Sequence, residues 1–356
     1  MNLPKRRIRL LIVDDSPQVR RILAEGLGAD PAIEVVATAP DPYAARDMIV
    51  KYRPDVMTLD VEMPRMDGVE FLRRLMPQYP LPVVMVSSLT RQGKRITIEA
   101  LAAGAVDFVA KPTDNLAQGL EAMMLELRTK VKIASVANVS HYKGRWQAAR
   151  AAGADRASAI GEAADKIIAI GASTGGTEAI AGIVAKLPVN LPGIVIVQHM
   201  PAGFTGLFAE RLNAINAISA KEAASGDRIL PGHILVAPGG RHLRVVRSGA
   251  VYKVSCEEGD KVCGHCPSVE VMMQSVAEQA GRNAVGVMLT GMGSDGAAGM
   301  VAMRRAGART LAQDEASCVV FGMPGEAFQR GGAERLVPLE RIPAEIVRLV
   351  RQIGKG

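Results

Sequence analysis

Along most of this chain, short unbroken apolar runs alternate with longer segments in which apolar residues recur every third or fourth position. Runs of the first kind predict strands buried on both faces, and the second kind predicts the helices that cover them. In the N-terminal third, Arg9 to Val13, Glu34 to Ala37, Val56 to Leu59, Val83 to Val86 and Asp107 to Val109 predict five strands. The pattern resumes at Lys166, where Ile167 to Ile170, Ile194 to Val197, His233 to Ala237, Val285 to Leu289 and Arg309 to Ala312 predict further strands. Such alternation predicts α/β units building parallel sheets. From about Arg128 to Ala164 it gives way to alanine with scattered Lys and Arg, which predicts a linker with enough helix propensity to act as a semi-rigid spacer. The expected organisation is a domain over 1–127, a linker over 128–164 and a second α/β domain over 165–356.

Composition supports two cores. At 356 residues the chain exceeds what one core usually organises, and 48% apolar with 22% charged residues is a globular balance. The net charge of +7 is not gathered into a basic cluster, so no nucleic-acid partner is expected. Lys5-Arg6-Arg7 precedes an apolar run, but Asp14-Asp15 ends it too early for a signal peptide. No apolar run approaches the roughly 18 residues that span a bilayer. A cytoplasmic location without membrane insertion is expected. Cys256, Cys263 and Cys266 around His265 invite a zinc site, but a second close-spaced ligand couple is missing, so no metal is expected in the C-terminal domain.

In the first domain Asp14 and Asp15 follow the first predicted strand, Asp60 the third, Ser87 the fourth and Lys111 the fifth. Three converging carboxylates repel one another unless a hard cation lies between them, which points to Mg²⁺. A carboxylate there is placed to attack phosphorus, with Lys111 and Ser87 meeting the phosphoryl oxygens. Val13-Asp14-Asp15-Ser16, Leu59-Asp60 through Asp67-Gly68, and Asp107-Phe108-Val109-Ala110-Lys111-Pro112 resemble the response-regulator receiver family across the whole domain. The resemblance implies a flavodoxin-like five-stranded parallel sheet and a sensor histidine kinase as phosphodonor. It also implies Asp60 as phosphoacceptor, Asp14 and Asp15 as metal-site carboxylates, Glu62 as a backbone-carbonyl ligand, and Ser87 and Phe108 as the switch pair.

In the second domain Gly171-Ala172-Ser173-Thr174-Gly175 fits G-x-S-x-G between a strand and a helix, as a nucleophile elbow requires. A serine needs a base. Of five histidines, His199 is placed best, at a strand end; His141 lies in the linker, His233 precedes a strand, and His242 and His265 stay open as alternatives. Asp295, after the strand ending at Leu289, is the candidate to orient the imidazole. The order Ser, His, Asp differs from the Ser, Asp, His of ordinary α/β-hydrolases. Backbone N–H groups near Thr174 and Met292 are candidates for the oxyanion hole. A rival reading treats Gly291-Met292-Gly293-Ser294-Asp295-Gly296, with Asp314 beyond it, as a dinucleotide fingerprint. Its late position and the charge of Asp295 near a pyrophosphate argue against that.

Ile170 through Gly176, Gln198-His199-Met200-Pro201, Pro267-Ser268-Val269, Leu289 through Gly296 and Gln313 through Ser317 resemble the catalytic domain of the chemotaxis response-regulator protein-glutamate methylesterases. With the receiver, this likeness covers nearly everything but the linker, and it places Cys266 in a loop near the active site. It implies a doubly wound, mostly parallel hydrolytic domain that removes γ-methyl esters from glutamates of methyl-accepting chemoreceptors. Glutamine deamidation at the same site is implied as well. A DNA-binding response regulator is the competing class, but those outputs are small and helical, unlike this long α/β segment.

Overall fold

The computed structural model describes residues 6–112, 116–142, 165–249 and 251–353. Contacts divide the chain into two units, Met1–Ala151 and Ala152–Gly356, each with its own sheet. Among the described residues no helix is long and apolar enough to cross a membrane.

The first unit holds strands β1 (Ile8–Val13), β2 (Ile33–Ala39), β3 (Val56–Asp60), β4 (Val83–Ser87) and β5 (Asp107–Ala110). They pair in parallel in the order β2-β1-β3-β4-β5. Every residue of β3 and β4 is buried, as the unbroken apolar runs require. Helices α1 (Pro17–Gly28), α2 (Pro42–Tyr52), α3 (Gly68–Leu75), α4 (Arg91–Ala102) and α5 (Leu116–Ala134) complete the βα units. Polar caps start several of them: Ser16, Asp41, Asp67 and Thr90 each accept a backbone N–H of the first turn of α1 to α4.

The expected linker start at Arg128 falls inside α5. Leu127, Val131 and Ala134 are buried, and the Arg128 guanidinium donates to the Gly26 carbonyl, so this stretch belongs to the packing of the first unit. Val139 and Tyr142 are buried beyond it. The helix matches the propensity of this stretch, but its few apolar residues past Leu127 pack inward, which spacing so sparse does not signal. The remainder of the expected linker, 143–164, lies outside the described residues.

The second unit contains β6 (Ile167–Ala172), β7 (Gly193–Gln198), β8 (Ser219–Glu222), β9 (His233–Val236), β10 (His242–Ser248), β11 (Val251–Glu257), β12 (Ala284–Met288), β13 (Arg309–Gln313) and β14 (Leu336–Val337). Seven form a parallel sheet in the order β14-β13-β12-β6-β7-β9-β8. Helices α6 (Gly176–Val184), α7 (Thr205–Ile215), α8 (Val269–Ala280), α9 (Ala297–Arg305), α10 (Met323–Gln329) and α11 (Ile342–Gln352) surround it. The sheet grows from β6 outward in one direction and then restarts on the other side at β12. This reversal opens a crevice beyond the carboxyl ends of the central strands, where α/β proteins bind ligands. The antiparallel pair β10 and β11 stands apart, its alternating inner residues Leu243, Val245, Tyr252 and Val254 joining the core that contains Met272 and Val276 of α8.

Candidate functional sites

In the first unit the reversal of strand order lies between β1 and β3, and the acidic residues gather there. Asp14, Asp15 and Asp60 bring carboxylate oxygens within 4.8 Å of one another. Lys111 Nζ bridges Asp60 Oδ2 at 2.7 Å and Asp14 Oδ2 at 3.1 Å. Burial first, and then the neighbouring Asp14, push the Asp60 carboxyl up to about 6, although Lys111 works in the opposite direction. So crowded an acidic set is incompletely neutralised by one lysine, and its oxygen-only character fits Mg²⁺. Glu62 is exposed just beyond β3. Ser87 is buried, its hydroxyl accepting from Thr97 Oγ1 at 2.6 Å and donating to the Gly93 carbonyl at 3.2 Å. Phe108 is buried beneath Lys130, whose Nζ lies 5.1 Å from the ring centroid. Lys130 also pairs with Asp107 at 3.0 Å and Glu126 at 2.9 Å, a cluster beside Phe108 that the strand pattern did not signal.

The acidic pocket carries a pH-dependent expectation. A carboxyl whose folded-state value is raised adds stability at low pH and loses it as pH rises through about 6. Mg²⁺ should therefore raise the melting temperature of the protein at pH 7.5, by an increment that shrinks below pH 6 as protons compete for the oxygens. Thermal melts with Mg²⁺ and with EDTA across this range check it; an increment that grows on acidification contradicts it.

In the second unit Ser173, His199 and Asp295 follow β6, β7 and β12, which lie side by side. Ala172 pairs with Gln198 at the end of the ladder, and the His199 N–H donates to the Ala172 carbonyl at 3.2 Å, so the nucleophile and base candidates leave adjacent strands at the same level. From the other side, the Ser173 N–H donates to the Thr290 carbonyl at 3.0 Å. Gly291 then passes so close that a Cβ there would lie 2.7 Å from Ser173 Cβ, a gap only glycine permits. The first glycine of the rival dinucleotide fingerprint, Gly291, thus seats the serine turn. Thr174 is buried and Met292 half-buried on the two turns flanking Ser173.

His199 Nε2 lies 2.7 Å from Asp295 Oδ2, with both side chains almost fully buried. The opposite nitrogen, Nδ1, is buried and has no hydrogen-bond partner among the described residues. Asp295 also accepts from the Ser268 hydroxyl at 2.7 Å and from the backbone N–H groups of Val269 at 2.7 Å and Glu270 at 3.0 Å. It therefore occupies the positive end of α8. Burial alone would push its carboxyl up, but the bonds from His199, Ser268 and Glu270 outweigh that and hold it below the usual carboxylate range. Asp295 is thus an anion built to face an imidazole N–H.

Of the other histidines, His242 donates from Nε2 to the Asp260 carbonyl at 2.9 Å and accepts the Ser268 N–H on Nδ1 at 3.2 Å, which supports Asp295 indirectly. His265 stacks on His199, with ring centroids 3.6 Å apart and planes 12° from parallel. A tight turn in which Val262 and His265 exchange backbone bonds of 3.0 Å holds it there, with Cys263 and Gly264 at φ 52° and 83°. His265 is therefore part of the site and not a stray loop residue. Its contact depends on a turn bringing distant segments together, which spacing alone does not signal. Burial raises the Cys263 and Cys266 thiols, Asp295 and Glu270 adding to it for Cys263, which works against the thiolates a zinc site needs. His233 bonds the Pro231 carbonyl away from these residues; the side chain of His141 lies outside the described residues.

Comparison with known proteins identifies the family. Residues 168–346 match the family model described as CheB methylesterase, and residues 10–123 match that of the response regulator receiver domain. The protein-glutamate methylesterase/protein-glutamine glutaminase of Syntrophotalea carbinolica is 65% identical over 98% of this chain and 99% of its own length. That of Salmonella choleraesuis is 52% identical over 96% of each. The crystal structure of the Thermotoga maritima CheB methylesterase catalytic domain covers 52% of this chain and 98% of its own, with a TM-score of 0.51 and 37% identity. This chain belongs to the protein-glutamate methylesterase/protein-glutamine glutaminase family.

Proposed function

We propose that this chain hydrolyses γ-methyl esters on glutamates of chemoreceptors, releasing methanol, and that phosphorylation of Asp60 controls it. The observation that carries the reading is the buried His199–Asp295 pair beside the Ser173 turn, which leaves His199 Nδ1 as the nitrogen free to act on the serine. Ser173 Oγ attacks the ester carbonyl while Nδ1 takes its proton. The tetrahedral oxyanion is met by N–H groups of Thr174 and Met292, and its collapse expels methoxide, which leaves as methanol with the proton from Nδ1. Water, deprotonated at the same nitrogen, then cleaves the acyl-enzyme and restores Ser173 and a free glutamate. A glutamine side chain enters the same sequence with ammonia as leaving group.

In the first unit, Asp60 attacks the phosphoryl group of a sensor histidine kinase, with Lys111 offsetting charge on its oxygens and Ser87 and Phe108 reporting the acyl phosphate. Asp14, Asp15, Asp60 and the Glu62 carbonyl would hold Mg²⁺, which would supply charge neutralisation there; the hydrolytic site takes no cofactor. The receiver module runs through α5, the connecting segment follows it, the hydrolytic module starts near 165, and the protein works in the cytoplasm. Methanol release from methylated receptor membranes, with and without a small phosphodonor, tests this. The wild type should respond to the phosphodonor, and Asp60→Asn should keep basal release but lose the response; an undiminished response in that variant excludes Asp60 as the control point.

A further inference from the structure

Strand pairing between β6 and β7 ends at Ala172 and Gln198; past it the His199 N–H reaches the Ala172 carbonyl and the Ser173 N–H the Thr290 carbonyl, but no backbone bond among the described residues links Ser173 to His199 directly. The Gln198 side chain fills that role. It is 4% exposed, and its Nε2 donates to the Ser173 carbonyl at 2.9 Å and to the His199 carbonyl at 3.3 Å. Both partners are carbonyl oxygens, which accept only, so the carboxamide must present its NH₂ to them; this orients the amide without ambiguity. Its Oε1 then points the other way, buried and without a partner among the described residues. A buried amide left half-satisfied costs stability, typically about 1–3 kcal/mol. Apolar residues of similar volume avoid that cost, so packing alone does not account for a glutamine here.

The second observation lies in the turn itself. A Cβ on Gly176 would sit 2.2 Å from Gln198 Oε1 and 2.6 Å from Ala172 Cβ, so the second glycine of Gly175-Gly176 leaves room for the carboxamide. The serine turn is thus shaped around the Gln198 amide as well as around its own sharp reversal.

We propose that Gln198 is a positioning residue for hydrolysis, whose NH₂ ties the Ser173 turn to the His199 turn and so sets the placement of nucleophile relative to base. The inference rests on the Ser173–His199–Asp295 reading. It touches neither substrate nor reacting atoms, so its loss should appear in kcat and leave KM alone. Misplacement of reacting groups by about 1 Å costs on the order of 10²-fold.

The test measures kcat and KM for methanol release from methylated receptor membranes with the full chain. Gln198→Met keeps volume and removes the donor, and kcat should fall on the order of 10²-fold with KM unchanged. Gln198→Glu keeps shape but turns a carboxylate toward two carbonyl oxygens; its kcat relative to wild type should be lowest at neutral pH and recover as acid restores an O–H donor. Gly176→Ala leaves Gln198 in place but displaces its amide, and should lower kcat without adding to the loss from Gln198→Met in the double variant. Circular dichroism verifies folding, and any one folded variant decides the matter. Wild-type kcat in Gln198→Met, a Gln198→Glu to wild-type ratio that is flat with pH, or full additivity with Gly176→Ala overturns the proposal. Ser173→Ala in the same assay separates the two readings: if it stays active, the hydrolytic triad itself fails, whereas an inactive Ser173→Ala beside a fully active Gln198→Met removes the positioning role alone.

Discussion

Replacing Ser173 with alanine should reduce methanol release by on the order of 10⁶-fold, leaving only what the surrounding donors contribute. The size of the effect follows from what the substitution removes. Ala172 already occupies the preceding position of the turn, and the backbone bonds that hold Ser173, from its N–H to Thr290 and from Gly176 to its carbonyl, do not use the hydroxyl. Alanine therefore fits the same backbone, and the melting temperature and receptor affinity should match the wild type. Phosphorylation at Asp60 should also be intact, because its pocket belongs to the other unit. Methanol release at more than about one percent of wild type would require another nucleophile.

Asp295→Asn should lower kcat by about 10⁴-fold, as loss of the orienting anion does in serine hydrolases generally. The structure gives a second expectation of different origin. Asp295 accepts from four donors: His199 Nε2, the Ser268 hydroxyl and the N–H groups of Val269 and Glu270. Asparagine has one acceptor oxygen, so its NH₂ must face donors, either at the imidazole or at the start of α8. The cost is that of a lost helix cap with a buried donor unpaired, about 1–2 kcal/mol. Because the wild-type carboxyl is held below the usual range, its contribution is present above ordinary carboxylate values and lost as pH falls through the depressed value. The difference in melting temperature between wild type and Asp295→Asn should therefore be full at neutral pH and close in strong acid. A gap that widened in acid would mean that the carboxylate is not what α8 and His199 hold.

The central strands were legible because strands covered on both faces show as unbroken apolar runs, and β3, β4, β6 and β7 are buried along their whole length. Edge strands were not. Ser219–Glu222 exposes three of four residues and reads as loop, and Leu336–Val337 is too short to carry any period. The β10–β11 pair does alternate, but it interrupts the regular βα succession and pairs with neither sheet, so that succession gave no place for it. The three candidate catalytic residues could be read because Ser173 and His199 sit at strand ends and Asp295 lies in the loop that leaves β12. What sequence could not yield were contacts made by side chains across the crevice: the His265 stack on His199, the choice of Nε2 for Asp295, and the Gln198 amide beneath both turns. Those depend on ångström-scale packing between segments far apart in the chain. His265 and Gln198 did stand within or beside the motifs singled out, but nothing in their spacing distinguishes a supporting contact from a bystander.

The central claim is that Ser173 is a nucleophile activated by His199. Mass spectrometry of the protein after exposure to a fluorophosphonate, which reacts only with activated serines, addresses it most directly. A single adduct on the peptide containing Ser173 is the result the account predicts, formed far more slowly in the Asp295→Asn variant. An adduct elsewhere, or equal labelling of Ser173 with and without the Asp295 carboxylate, would contradict it.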